Sequence, residues 1–529
     1  MAHPPASETN YVWRALELFA EHGDADAMVY QGRHLSYRQL HAGVLAMATA
    51  LHRHGMRPGG AMAALAGTPP EAVMLQLALH MLGCRAVWIA PNAPRADQAG
   101  YLRRGDVDAF TYDARSLATL GAELAAGIDR DIPVFCFGEG NGTDLTTVPA
   151  ADRPPVSPGE VPNEPQSVFQ TGGTTGYPKM VRQPHLFFQT LLALSDAYLA
   201  AGEHQIRHYA ASGFWHVSGQ VPTMMTLLTG GTLYANEGFD IGEFLAAVER
   251  DRITDILLAP PLLYCLLDDP RLATTDTSSL KRLSCGGSAT APARAAQAIE
   301  KLGPVLRPVY GMTEAAFITA YPGIDHDPEH PERLGSCGLP YGDVRIEIRD
   351  ATGERLTAGH DGDVWVSSSL MMDGYWTQPD LTRATLVDGW LNTGDVGHLD
   401  EDGYLYLVDR TRDMIITGAG STNVYCRPIE DALLAHPGVR AAAAVGVPDR
   451  AMGEAVHACV VIAPGAEVSA DDLREFVTAQ LNPVWAPRTV EFVDELPLTA
   501  VGKIDKKAIR ARYAVSAAPA APAASAPTG

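Results

Sequence analysis

The first stretch that could do chemistry is Gln170-Thr171-Gly172-Gly173-Thr174-Thr175-Gly176-Tyr177-Pro178-Lys179. Apolar Ser167-Val168-Phe169 leads into it as a short strand, and Met180-Val181 leads out as another. Glycines and threonines between two strands offer backbone N–H groups and hydroxyls at close approach, and one lysine closes the loop. A polyphosphate asks for that set of donors, and an ordinary Gly/Thr hairpin turn is the alternative reading. A Walker P-loop is excluded, because Pro178 separates Gly176 from Lys179 and no hydroxyl residue follows the lysine.

Five further stretches fall at the ends of expected strands, where open α/β sheets bind ligands. They are Gly286-Gly287-Ser288, Tyr310-Gly311-Met312-Thr313-Glu314, Gly389 to Asp395, Asp409-Arg410 and Gly502-Lys503-Ile504. Alone, each reads as a turn, a helix cap or a surface loop.

The elements that must position these residues are legible from apolar spacing. Leu40, Val44, Met47, Ala48 and Leu51 recur at helical period after Ser36, until Gly55 stops them. Ala61 to Leu65 reads as a buried strand, Pro70 to Leu82 as a helix, Val87 to Ile89 and Asp108 to Asp113 as further strands. Such alternation predicts a parallel sheet with helices on its faces. The Pro-, Asp- and Glu-rich stretch from Thr143 to Pro165 reads as a surface connection. Helices are expected from Leu186 to Ala201 and from Gln220 to Leu228, and strands from Ile256 and from Leu280 to Cys285.

Later the texture changes. Short β runs between Gly and Asp turns predict a β-rich, barrel-like subdomain over 335–409, inside a large N-terminal α/β domain spanning 1–410. A small, mobile α+β domain is expected over 411–513, and 514–529 is a tail of Ala, Pro, Ser, Thr and Gly with nothing to bury.

Composition bounds the partners. At 529 residues more than one folded unit is expected, and 46% hydrophobic with 19% charged residues is globular composition. Lys+Arg 40 against Asp+Glu 62 gives −22, which argues against nucleic acid or an anionic membrane as partner. The seven cysteines show no CxxC spacing, so neither a disulfide framework nor a zinc motif is signalled, and a reducing cytoplasm is the expected compartment. Met1 to Pro5 has no signal-peptide pattern, and no apolar run reaches the roughly 18 residues of a membrane span.

Taken together and in order, the phosphate loop and the five stretches resemble the adenylate-forming superfamily: acyl- and aryl-CoA ligases, peptide-synthetase adenylation domains and luciferases. The resemblance runs from about Leu35 to Lys507 and includes Gly374-Tyr375-Trp376, Val445 to Asp449 and Pro497 to Lys503. It implies that a carboxylic acid attacks the α-phosphorus of ATP with loss of pyrophosphate, giving acyl-AMP. By resemblance, Thr171, Gly172, Gly173, Thr174, Thr175, Gly176 and Lys179 wrap the β/γ-phosphates. Thr313 binds the α-phosphate, Glu314 holds Mg²⁺, Asp395 accepts the ribose hydroxyls and Arg410 sits beside the ribose. Gly286, Gly287, Ser288, Tyr310 and Gly311 line the nucleotide slot. Lys503 is the catalytic cation that bridges carboxylate and α-phosphate.

The stretch Ser212 to Gly219 reads as the CoA-ligase version, with His216 at its centre and no acid to pair an α-ammonium. His216 would gate or orient the carboxylate, with a packed core histidine as the other reading. Phe214, Trp215, Met312, Leu262 and Leu263 suggest an apolar acyl or aryl pocket. The expected reaction is CoA-thioester formation by an enzyme acting as monomer or homodimer. Three departures touch the second step: Arg412 at the hinge, a Gly418 to Asn423 loop about two residues longer than the family pattern, and Cys426 in place of a proline. A carrier-protein thiol, an amine, or nitrite activation for diazotisation therefore stay open as alternatives. So does a non-catalytic nucleotide-binding regulator, against which retention of Lys503, Glu314 and Asp395 speaks.

Overall fold

The computed structural model describes residues 10–161, 166–171, 179–321, 330–410, 413–417, 422–449, 452–499 and 502–514. Gly172 to Gly176, Arg412, Gly418 to Ser421 and the tail from 515 therefore lie outside the described residues.

Two large sheets carry the N-terminal domain. In one of eight strands, Arg85–Ile89, Ala61–Leu65 and Ala109–Asp113 run parallel, as their strand–helix alternation predicts. The strand Gln166–Thr171 joins them, then turns back as Lys179–Gln183, so Thr171 and Lys179 pair across the hairpin. In the other, of nine strands, Asp255–Leu258, Arg282–Gly286 and Leu306–Met312 run parallel and end beside one another. Buried side chains of both sheets and of the helices Tyr11–His22, Tyr37–Arg53 and Pro70–Met81 form the main core.

Local chemistry sets the ends of these elements. The Ser36 side chain accepts from the Gln39 N–H while Gln39 answers to the Ser36 N–H, a capping box that starts Tyr37–Arg53 where the sequence places it. Prolines at the first turn open Pro70–Met81 and Pro260–Asp268.

A third, antiparallel sheet forms the β-rich half-barrel: Arg345–Arg349, Gly362–Ser367, Trp390–Leu399 and Leu386–Val387, with Leu405–Arg410 paired to Trp390–Leu399. Beyond it lies the small α+β domain. Its sheet is Val439–Asp449, Gly453–Ile462 and Thr489–Phe492, packed by the helices Cys426–Leu434, Ala470–Gln480 and Lys506–Ala514. It docks on the large domain through charge. Asp268 holds both Arg294 and Arg440, and Arg294 also donates to the Arg440 carbonyl.

Among the described residues no helix is long and apolar enough to cross a membrane. All seven cysteines carry free thiols.

Candidate active site

Three polar clusters meet where the parallel strands of the nine-stranded sheet end. In the first, the Tyr310 hydroxyl donates to Asp395 Oδ2 (2.5 Å) and Arg410 Nε lies 3.1 Å from Asp395 Oδ1. Burial, then the neighbouring carboxylate charge, push the Tyr310 pKa well up, so it remains a donor. Asp395 is not at a strand end, as the sequence suggests. It sits inside the ten-residue strand Trp390–Leu399, directly opposite Arg410 and beside an irregularity in register. Gly394, at φ +73°, makes the local turn that a side chain would resist.

In the second cluster, Lys179 Nζ donates to the Tyr375 hydroxyl (3.3 Å), which in turn donates to Glu314 Oε1 (2.9 Å). Glu314 is buried, at 4% exposure. Thr313 and Glu314 form the turn between Leu306–Met312 and Ala315–Ala320. Gln183 donates to the Thr313 carbonyl and the Met372 N–H to the Glu314 carbonyl, which fixes that turn from both sides. Tyr375 is a link that sequence reasoning missed; it stood there only as part of a supporting motif. A phenol between a lysine and a carboxylate has no signature in spacing.

The third is a cavity shared by both domains. Gly286, Gly287, Gly311, Met312, Thr313 and His216 of the large domain line it, and Lys503 enters it from the small one. Close backbone approach explains the glycines. A Cβ on Gly311 would lie 1.9 Å from the Ala316 carbonyl oxygen, and one on Gly286 2.6 Å from Val309. Gly287, at φ +91°, faces Lys503, whose Cε would be 2.8 Å from an added Cβ. Lys503 is carried on a tight turn: Thr499 N–H donates to the Lys503 carbonyl, and the Lys503 N–H to Thr499 Oγ1. Ser288 follows Gly287 but is exposed.

His216 caps the helix Val217–Leu228, its Nδ1 accepting the Ser218 N–H (3.1 Å). Burial, then the Lys503 charge, press its pKa down to about 3. The ring is therefore neutral near pH 7. With Nδ1 engaged as an acceptor, its proton sits on Nε2.

The apolar wall differs from expectation. Met312 and Leu262 line the cavity, but Phe214, Trp215 and Leu263 do not: Phe214 and Leu263 are fully buried. Phe214 packs edge-on against Trp88 at 5.1 Å between ring centroids, and Leu263 lies in the core under the nine-stranded sheet. The wall is instead Val217, Val221, Pro222, Leu257, Ala316 and Phe317, among others. Spacing of 217 and 221, one helical turn, was the available signal. No described residue lining the cavity is Asp or Glu.

Residues 16–376 match the family described as AMP-binding enzyme, and 428–503 match the AMP-binding enzyme C-terminal domain. A medium/long-chain-fatty-acid–CoA ligase from Mycobacterium tuberculosis is 34% identical over 87% of this chain and 82% of its own. A feruloyl-CoA synthase from Amycolatopsis is 34% identical over 92% of this chain and 96% of its own. Among solved structures, the amide bond synthetase McbA from Marinactinospora thermotolerans superposes with TM-score 0.84 at 36% identity, covering 95% of this chain and 100% of that one.

Proposed function

This chain belongs to the AMP-binding enzyme family, among the adenylate-forming enzymes, and from that premise we propose that it activates an apolar or aromatic carboxylic acid with ATP and passes the acyl group to CoA. The observation that carries the first step is the cavity in which Lys503 of the small domain meets Gly287, Thr313 and His216 of the large one. In this reading the carboxylate attacks the α-phosphorus and pyrophosphate leaves in line. Lys503 spans the carboxylate and the α-phosphate, and His216 Nε2–H donates to a carboxylate oxygen. The protein does positioning and charge neutralisation rather than covalent work. Asp395, braced by Tyr310 and Arg410, takes the ribose hydroxyls, and Lys179 with Thr171 takes the terminal phosphates.

A buried carboxylate with one oxygen already fixed by Tyr375 suits Mg²⁺, which is usually held by one or two carboxylates plus substrate phosphates. Glu314 would hold it, and the ion would neutralise phosphate charge when bound. The acid-free wall supports a hydrophobic substrate, since an α-ammonium would be desolvated without a partner, at a cost of several kcal/mol.

A second reading changes only the acceptor, to an amine. It is favoured by the likeness to an amide bond synthetase.

The test is substrate-dependent pyrophosphate release over aryl, cinnamic, fatty and amino acids, followed by mass analysis with CoA or with amines added. Hydrophobic acids should exceed α-amino acids by more than tenfold in kcat/KM, a factor worth about 1.4 kcal/mol. No pyrophosphate with any acid would overturn adenylation. Amide without thioester would move the acceptor to the second reading.

A further inference from the structure

The small domain holds a polar cluster that the adenylation chemistry does not use. His457 and Cys459 lie two residues apart on the strand Gly453–Ile462, so both side chains leave the same face. Glu491, on the adjacent parallel strand Thr489–Phe492, stands opposite Cys459 in register. Three ligand atoms converge: His457 Nε2 to Cys459 Sγ is 3.5 Å, Cys459 Sγ to Glu491 Oε2 is 3.6 Å, and His457 Nε2 to Glu491 Oε2 is 3.7 Å. A tetrahedral zinc, with Zn–S about 2.3 Å and Zn–N or Zn–O about 2.0 Å, separates its sulfur from either other ligand by about 3.5 Å, and its nitrogen from its oxygen by about 3.3 Å. Only the nitrogen–oxygen pair must close, by about 0.4 Å, and Glu491 has the freedom to do so because its side chain is 42% exposed.

We propose that His457, Cys459 and Glu491 form a Zn²⁺ site that ties the last two strands of the small domain together. The ligand set selects the metal. A thiolate and an imidazole suit Zn²⁺ and exclude Mg²⁺ or Ca²⁺, which take oxygen ligands. Two anionic ligands neutralise the ion, so the buried charge is balanced. The orientation of the imidazole is already prepared. Its Nδ1 lies 2.7 Å from Thr489 Oγ1, which can accept the ring proton and leave the Nε2 lone pair aimed at the other two ligands.

Tyr513 of the helix Lys506–Ala514 covers the cluster. Its ring centroid is 4.2 Å from that of His457, and its hydroxyl donates to Glu491 Oε2. Binding forms the Zn–S bond and releases the Cys459 thiol proton to solvent. Three protein ligands leave the fourth place to a solvent oxygen. Cys459, Ile504 and Tyr513 share one apolar cluster, so the site also braces the segment that carries Lys503.

The experiment uses the full chain, stripped of metal with a chelator and titrated with Co²⁺ alone. One equivalent should give the thiolate-to-cobalt charge-transfer band and the intense visible bands of tetrahedral Co²⁺, and Zn²⁺ should displace it. Cys459→Ser should lose the charge-transfer band. Glu491→Gln, at a partly exposed position, should weaken Co²⁺ binding by at least about tenfold, since losing a ligand costs no less than losing an outer-shell partner. Cys265→Ser should change nothing. A folded wild type that shows no thiolate band would overturn the proposal. So would a band that survives Cys459→Ser, or an affinity that Glu491→Gln leaves unchanged. Co²⁺ bound without a thiolate band belongs to an oxygen site such as Glu314 and counts against it as well.

Discussion

Lys503 and Asp395 show how differently two site residues are held. Lys503 stands on a turn held by hydrogen bonds with Thr499, and it reaches the cavity from the small domain. In the proposed reaction its contribution would belong to the transition state, where charge passes from the carboxylate to the leaving pyrophosphate. Lys503→Ala should therefore cut pyrophosphate release by on the order of 10²–10⁴-fold, the scale for losing one preorganised electrostatic contact. Circular dichroism and acyl transfer from pre-made acyl-AMP should stay near wild type; unchanged pyrophosphate release would remove Lys503 from the chemistry. Asp395 is braced from both sides before any ligand arrives, by Tyr310 and by Arg410. Tyr310→Phe removes one brace in ground state and transition state alike. A hydrogen bond to a charged group is worth about 1.5–3 kcal/mol, so the ATP KM should rise about tenfold or more while kcat changes little. A fall in kcat with constant KM would contradict that role.

At the scale of elements, the parallel strands and the helices between them were legible, because buried apolar runs and 3.6-residue spacing are local properties. Ser36, Pro70 and Gly55 marked helix ends for equally local reasons. The sheet order was not legible. Asp26–Tyr30 pairs with Thr232–Ala235, and no local pattern announces a partner some two hundred residues away. The identities of Lys503, Thr313, Glu314, Asp395 and Arg410 stood out through motif order, and the structure brings them to one region. The cavity wall did not stand out. Phe214 carries the aromatic signal, yet the turn that precedes the Val217–Leu228 cap points it at Trp88. Cys426 was visible as a departure, and the structure gives it a partner. At the start of the helix Cys426–Leu434 its N–H donates to Asp409, just before the hinge. Cys426→Pro keeps the first-turn geometry but removes that donor, leaving a carboxylate whose pKa burial already raises. The docked orientation should weaken. Adenylate formation should drop by on the order of tenfold, with thioester or amide formation from pre-made acyl-AMP equal or faster. Equal loss in both assays would mean that the contact is only structural.

The whole molecule carries a pH dependence written into its two sheets. His80 is fully buried beside the eight-stranded sheet, its Nδ1 accepting from the Tyr11 hydroxyl (2.8 Å) and its Nε2 lying 3.0 Å from the Gln166 carbonyl. His208, 6% exposed, lies in the nine-stranded sheet. Burial lowers His80 to about 3. Burial, partly offset by the Asp255 charge, lowers His208 to about 4. In the unfolded chain both titrate near 6.5, so between about pH 6.5 and pH 4 the unfolded state binds protons that the native state refuses. Stability is then fully present above that window and is lost as pH falls through it. Each histidine should contribute about 1.4 kcal/mol per pH unit, and the pair roughly 3 kcal/mol between about pH 7.5 and pH 5.5. Carboxylates titrate lower and add their own slope, so the informative quantity is a difference. Urea unfolding of wild type and of His208→Gln, each followed from about pH 7.5 to pH 5.5, should give a slope about 1.4 kcal/mol per pH unit shallower in the variant at the acid end. The variant's constant offset from lost packing cancels in the slope. Parallel lines would mean that His208 takes up no proton on unfolding, and that the acid sensitivity of this fold has another source.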